Sequence, residues 1–468
     1  MTGTTHLKMW LTICSLMLAV VSAAAADTHY VNPGDSIQAA INVAVSGDQI
    51  EVGPGTYSEA INFNGKAIKL YSTGGPDVTT IDATELNSSV VTCTSSEGSG
   101  TILEGFTITG GNSGAKGGGM YNYLSSPTVT NCIFISNTSV GSGGGMCNNG
   151  GTNPTVTNCN FIHNRAGDGG GMMNIGSSPT VTNCNFIENT GYTGGGMNNY
   201  GSNSIVTNCT FISNTSGGRG AGMMNIRDSN PTVTNCKFSE NWVVYTGGGM
   251  SNEENCNPIV TNCTFSDNTA SAGGGMYNAS SNPTVTNCIL WGDTVNEIVN
   301  ESSITTVTYS DVEGGWAGTG NIDFDPLFAD DDGRLLAGSP CIDVGNNAAV
   351  TVTTDLDGNP RIQGLCVDMG AFEATPATPE IMLANLRAYI VEQVALGIDA
   401  EMEVSLLAKV NAAIAALNRG NPNDAKVAMN DLKALVNQVE AQAGNKITVE
   451  AAEVIIDRVN AIITALGG

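Results

Sequence analysis

Basic residues are scarce in this chain. Lysine and arginine together number 17 against 43 aspartates and glutamates, for a formal charge of −26 over 468 residues. A surface of that sign repels a phosphate backbone, which argues against nucleic-acid binding. Histidines number 3, and His6, His29 and His163 are too scattered to complete a nucleophilic triad. Long apolar runs are missing from residues 27–374. The runs there are a few residues each, punctuated by Gly, Asn, Ser and Pro. They leave no room for a helix of useful length and imply short strands joined by turns. No segment beyond the N-terminus is a candidate membrane span.

What is present is repetition. The line Pro127-Thr-Val-Thr-Asn-Cys-Ile-Phe-Ile-Ser-Asn137, followed by Gly143-Gly-Gly-Met-Cys-Asn148, is written seven times with small changes. Its cysteine recurs at Cys132, Cys159, Cys184, Cys209, Cys236, Cys263 and Cys288, and its methionine at Met120, Met146, Met172, Met197, Met223, Met250 and Met276. A fixed period of this size is the mark of a solenoid. Val129 and Cys132 are three apart, so one straight strand cannot bury both. A corner at Asn131 resolves this, because Asn tolerates the left-handed backbone of a sharp turn. Further corners are expected at Asn137 and near Asn148. Three strands and three corners make one coil of a parallel β-helix, with coils stacking about 4.8 Å apart. Val, Cys, Phe and Met ladders would fill the interior. Asn131 and its equivalents would form one amide ladder, and Asn137 and its equivalents another. The cysteines come one per coil and point the same way, which suits small buried apolar groups better than a metal site.

The repeat over residues 112–291 resembles the polymorphic outer membrane protein repeats of bacterial surface proteins, which pair a G-G-x-hydrophobic element with F-x-x-N. That resemblance implies surface exposure and adhesion. Tyr30-Val-Asn-Pro-Gly-Asp-Ser-Ile-Gln-Ala-Ala-Ile-Asn42 and Gly47-Asp-Gln-Ile-Glu-Val-Gly-Pro-Gly-Thr-Tyr57 are similar to the N-terminal cap and first coils of the pectin-lyase-like superfamily. Ser36 would cap a short helix there whose Ile37 and Ile41 face the first coil. The resemblance implies a right-handed helix. The expected architecture is therefore mainly β: a signal peptide at 1–26, a parallel β-helix at 27–310 with its cap at 27–60, and a C-terminal cap at 311–374. A linker at 375–380 and a small all-α bundle at 381–468 follow.

The signal peptide rests on Lys8, the apolar run Trp10–Val21 and Ala24-Ala-Ala26. It places the mature chain outside the cell or on its surface. Asp323-Phe-Asp-Pro-Leu-Phe328, Gly338-Ser-Pro-Cys-Ile-Asp343, Asp355-Leu-Asp-Gly-Asn-Pro-Arg361 and Val367-Asp-Met-Gly-Ala-Phe-Glu373 resemble, in this order, the choice-of-anchor Q region of secreted β-helix proteins. Cys341 and Cys366 are candidates for a disulfide across that cap. Asp355 and Asp357 have part of a calcium-loop spacing but lack its full acidic set. Turn formation is the first expectation for them, and Ca²⁺ the only cofactor the sequence suggests. Residues 381–468 show four helical stretches of apolar residues, bounded by Gly397, Gly420, Gly444, Asn421-Pro422 and Thr448. They resemble the FIMAH type of helical module, which implies attachment to an envelope component.

Charge is unevenly placed. Residues 27–111 carry ten acids and two bases, 112–291 seven and five, and 292–375 fifteen and two. The repeats are nearly neutral between acidic ends, which discourages end-to-end stacking of open sheet edges. Candidate polar groups in the repeats are Arg165, Asp168, Arg219, Arg227 and Asp228. Arg165 and Arg219 are expected to share a corner two coils apart with no acid cluster beside them, and the polygalacturonase-like N-T-D, D-D and G-H-G signatures are absent. No catalytic residue is therefore assigned, and glycan binding without turnover is the leading expectation. A polysaccharide lyase, hydrolase or epimerase is the alternative. The variable loops between F-x-x-N and G-G-G offer Tyr192, Trp242 and Tyr245 for stacking on sugar rings, with Arg165 and Arg219 beside them. The plainer account of the aromatics is that they shield the coil. The two enzyme and binding readings separate on whether these side chains line one groove with carboxylates.

Overall fold

The computed structural model describes residues 26–467 except 376, 396, 420 and 422. Residues 1–25, hence nearly all of the expected signal peptide, lie outside the described residues, as do Gly420 and Pro422. Residues 28–312 wind into a parallel solenoid with three long ladders of twelve, eleven and ten strands. In-register pairing stacks like on like: Val129 on Val156, Phe134 on Phe161, Met146 on Met172.

The Asn131 corner forms as its sequence requires. Asn131, Asn158, Asn183, Asn208, Asn235, Asn262 and Asn287 all take φ between 51 and 54°. The turn lets valine and cysteine both point inward, and all seven cysteines are buried. Each thiol reaches the carbonyl two residues before it, as Cys184 does with Thr182 at 3.3 Å. Burial without a nearby cation pushes the Cys159, Cys209, Cys236 and Cys288 thiols well up. The phenylalanines stack with centroids 4.6–4.9 Å apart and planes within 2–5°.

The second and third corners lie elsewhere than expected. The left-handed residue of the second corner precedes the asparagine: Ser136, His163, Glu188, Ser213, Glu240 and Asp267 have φ of 53–57°. Asn137 and its equivalents then turn fully inward, each amide bonding the next coil, as Asn164 Nδ2 does with Asn189 Oδ1 at 3.0 Å. Asn148 is not a corner. It lies within the strand Met146–Asn149, and its side chain belongs to a third, internal amide ladder running from Asn122 to Asn300. The chain turns after that strand, at positive-φ glycines such as Gly150, Gly176 and Gly201.

A fourth side also appears. Short strands at Thr190–Thr193, Thr215–Arg219 and Trp242–Val243 form a ladder between the second and third long sheets. It matters below, because it makes one wall of a groove.

The N-terminal helix α1 (Ile37–Val43) covers the first coil. The Ser36 hydroxyl accepts from Ala39 N–H at 3.1 Å, and Ile37 and Ile41 are buried. Glu59, from the next coil, accepts the N–H groups of Ile37 and Gln38 at 2.7 and 3.0 Å, which suits a carboxylate at a helix N-terminus.

At the other end Asn321 closes the last coil, accepting from Ser310 N–H and donating to the Val307 carbonyl. The acidic cap then doubles back along the outside of the second long sheet. Lys237 Nζ donates to the Asp331 carbonyl and to Asp332, Ala371 N–H to Thr264 Oγ1, and Asn346 N–H to Asn287 Oδ1. Outward side chains Lys237, Thr264 and Ile289 are consequently buried, where the equivalent Ile133 is only half-buried.

Among the described residues four α-helices follow the cap: α2 (Pro379–Glu392), α3 (Ala400–Leu417), α4 (Asp424–Gln442) and α5 (Val449–Ala465), with one 3-10 turn after α2. Thr378 and Thr448 cap α2 and α5, and Gly444 takes φ +73° between α4 and α5. The expected linker is not free. Ala377 N–H bonds the Asp343 carboxylate at 3.1 Å, and Asn385 on α2 reaches the Ser339 carbonyl. The bundle's core, including Leu386 and Ile455, is continuous with Cys341, Ile322 and Met369 of the cap. No helix among the described residues is long and apolar enough to cross a membrane.

Candidate functional site

Along each strand of the third long sheet the methionine and the asparagine face the core, so the second and fourth residues face out. The fourth-position ladder reads Ile175, Tyr200, Ile226, Glu253, Ala279, Glu301. Beside it stands a ladder at the foot of the variable loops: Asp168, Thr193, Arg219, Thr246. Between the two lies a groove of about 840 Å³ that also takes in Tyr192, Tyr245 and Tyr277.

Local packing sets the walls. Tyr192 lies against Gly217 and Gly218; a Cβ on Gly218 would come within 2.7 Å of the Tyr192 carbonyl. The two glycines therefore let the tyrosine loop lie close to the next coil. Tyr192 and Tyr245 remain 64% and 57% exposed, their rings available to a ligand. Tyr200 is held from outside by Arg227, whose guanidinium sits 4.7 Å from the ring centre.

The charged groups are interlocked. Arg219 Nη1 pairs with Glu253, whose carboxylate also accepts from Ser251 Oγ at 3.2 Å. Burial raises the Glu253 carboxyl above its usual range, with Arg219 pulling the other way. Tyr277 is pushed up to about 12, first by burial and then by its hydrogen bond to Glu301. Thr193 Oγ1 donates to Asp168 at 2.6 Å and accepts from Asn198 Nδ2 at 2.7 Å. The groove thus offers aromatic faces, fixed hydroxyl and amide groups, and three carboxylates against one guanidinium. Such a surface can stack on pyranose rings and bond their hydroxyls.

The five residues singled out from sequence divide into two sets. Tyr192, Tyr245 and Arg219 line the groove. Arg165 and Trp242 do not. They stand three coils apart in a different ladder, joined through Thr190 and Thr215, and both are exposed. Arg165 and Arg219 therefore do not share a ladder, and Arg219 does have acids beside it. Glu253, Glu301, Tyr200 and Tyr277 went unremarked in the sequence. Their signal was available: they are the odd letters at the outward positions of an otherwise regular strand.

In the cap, Asp355 shapes a turn, accepting from Asn359 N–H at 2.7 Å and Glu373 N–H at 2.8 Å. Asp357 pairs with Arg334, which also holds Asp330 and Asp332. Among the described residues no three His, Cys, Asp or Glu side chains converge as a metal site. Cys341 and Cys366 are both free, contrary to the expected bridge. The Cys341 thiol instead donates to buried Asp311 at 3.0 Å, and burial pushes that carboxyl up to about 8.

No curated protein matches the chain. Among solved structures it is similar to the pectin methylesterase from carrot at 10% identity and a TM-score of 0.34, over 60% of this chain and 87% of that one. Residues 97–250 and 193–320 match the family model of the right handed beta helix region, so the solenoid that carries the groove is a right-handed parallel β-helix.

Proposed function

We propose that this chain is exported and acts at the cell surface as a glycan-binding stalk without turnover. One observation carries the reading: Tyr192, Tyr200, Tyr245 and Tyr277 line a single groove with hydrogen-bonding groups fixed between them. The groove runs from the coil of Met173 to that of Glu301, five steps of about 4.8 Å, or about 24 Å in all. That length suits a linear chain better than a single small molecule. The resemblance of the repeats to polymorphic outer membrane protein repeats, of the cap to the choice-of-anchor Q region and of the bundle to FIMAH modules supports a role at the envelope. The helical bundle then attaches the stalk to an envelope component.

A second reading has its own observation. Asp168, Glu253 and Glu301 share the groove with the aromatics, and paired carboxylates are what glycan cleavage needs. One polysaccharide panel, of acidic and neutral glycans with and without Ca²⁺, tests both. Retention without new chain ends, weakened by Tyr192→Ala or Tyr245→Ala but not by Trp242→Ala, is the expected result. New chain ends that vanish in Glu253→Gln would establish the enzyme instead. Neither retention nor new chain ends with any glycan would refute both.

A further inference from the structure

Resting on the glycan-binding reading, we propose that the groove selects a linear glycan bearing free amino groups and rejects uronate chains. Among the described residues Arg219 is the one cationic side chain lining the groove, and it is already committed to Glu253. The Glu253 side chain is 8% exposed and that of Arg219 52%, so what the pair shows a ligand is a guanidinium whose charge Glu253 already balances. Asp168 at one end and Glu301 at the other face no basic partner. A carboxylate-bearing sugar laid along this path would meet two unpaired like charges and, among the described residues lining it, no cation that is not already paired. An ammonium-bearing sugar would meet carboxylates at both ends and tyrosine faces between them, and ring faces attract cations as well as sugar carbons.

The length of the groove sharpens the point. Asp168 and Glu301 are separated by the full run of coils, so a single amine cannot engage both. A chain with amines spaced along it can, which makes the selectivity one for a polymer and weak for its monomer.

The test uses the full mature chain and three hexasaccharides of matched length: glucosamine, N-acetylglucosamine and galacturonate, titrated at near-physiological salt. The glucosamine hexamer should bind at least about tenfold tighter than the acetylated one, with galacturonate weakest. The double variant Asp168→Asn/Glu301→Gln should cut that ratio below about threefold. The remote double variant Asp77→Asn/Glu380→Gln, at two exposed sites far from the groove, should leave it intact, which separates the groove from the chain's overall negative charge. Equal or tighter binding of galacturonate overturns the inference, as does a ratio that survives Asp168→Asn/Glu301→Gln. If the three hexamers bind alike and Tyr192→Ala/Tyr245→Ala abolishes binding, the selectivity falls while the glycan groove stands. If none binds, both fall together.

Discussion

Of the three asparagine ladders, the buried one through Asn137 and the corner one through Asn131 should differ sharply in what they contribute. Asn189, in the inner ladder, is fully buried, and its side chain makes four hydrogen bonds. Its Oδ1 accepts from Asn164 N–H and Nδ2, both at 3.0 Å, and its Nδ2 donates to the Phe161 carbonyl at 2.8 Å and to Asn214 Oδ1 at 3.0 Å. Asn189→Ala leaves the Asn164 amide with no acceptor in a dry interior. One orphaned buried donor costs about 1–3 kcal/mol, and the three remaining lost bonds about 0.5–1.5 each, so about 2.5–7.5 kcal/mol is expected locally. Asn183, in the outer ladder, is exposed, and water replaces its bonds to Asn158 and Asn208. Its φ of 52° also suits glycine, so Asn183→Gly should cost under about 1 kcal/mol. A long repeat array need not unfold in one step, so the readout should be local. Hydrogen exchange of the Asn164 and neighbouring amides should accelerate by about 100-fold or more in Asn189→Ala and by less than about tenfold in Asn183→Gly. Equal acceleration in the two variants would refute the claim that the inner ladder, and not amide stacking in general, holds the coils.

Other tests follow from the same structure. Phe186→Ala removes a fully buried ring stacked 4.8 Å from both neighbours and should destabilise its coils by about 3–5 kcal/mol, read by the same exchange experiment. Asp293 takes the ladder position after Asn268 and shares a buried site with Glu297; burial, and in Glu297 also the Asp293 charge, pushes these carboxyls up to about 7 and about 11. Their folded values exceed the unfolded ones, so the native state holds the extra proton and stability falls as pH rises from the unfolded range near 4 through the folded values. The melting temperature should therefore drop between pH 5 and pH 9, and less so in Glu297→Gln, whose amide replaces the shared proton; an unchanged slope would refute the assignment. Of the twelve described cysteines only Cys366 is not buried, so a native chain of residues 27–468 should take one alkylating group by mass and the same chain denatured twelve.

The sequence carried the ladders well and the groove poorly, for a physical reason. Inward positions repeat because each must match the coil above and below, so Val129, Cys132, Phe134 and Met146 could be placed from periodicity alone. The Asn131 corner followed from the clash between its spacing and a straight strand. Asn137 and Asn148 were misjudged because asparagine suits both a left-handed turn and a buried amide ladder, and the letter alone does not choose between them. The solenoid decides by burial: a neighbouring residue takes the turn, and the asparagine goes in.

The groove resists reading for the opposite reason. Its residues come from two elements of different period within the coil, the loop ladder at Arg219 and the strand ladder at Glu253. Loop length varies from coil to coil, so sequence spacing does not reveal that these two meet. Counting back from the glycine-rich element would have put Arg219 in register with Asp168, and counting forward from the F-x-x-N asparagine Arg165 with Trp242, which is what pairing across the coils produces. The cap teaches the same lesson at longer range. Lys237, Thr264 and Asn287 sit at outward repeat positions, yet a segment about a hundred residues later covers the first two and one about sixty residues later the third. Outward positions report whatever covers them. Where nothing does, as at Tyr192 and Tyr245, the departures from the repeat mark the surface left open for a ligand.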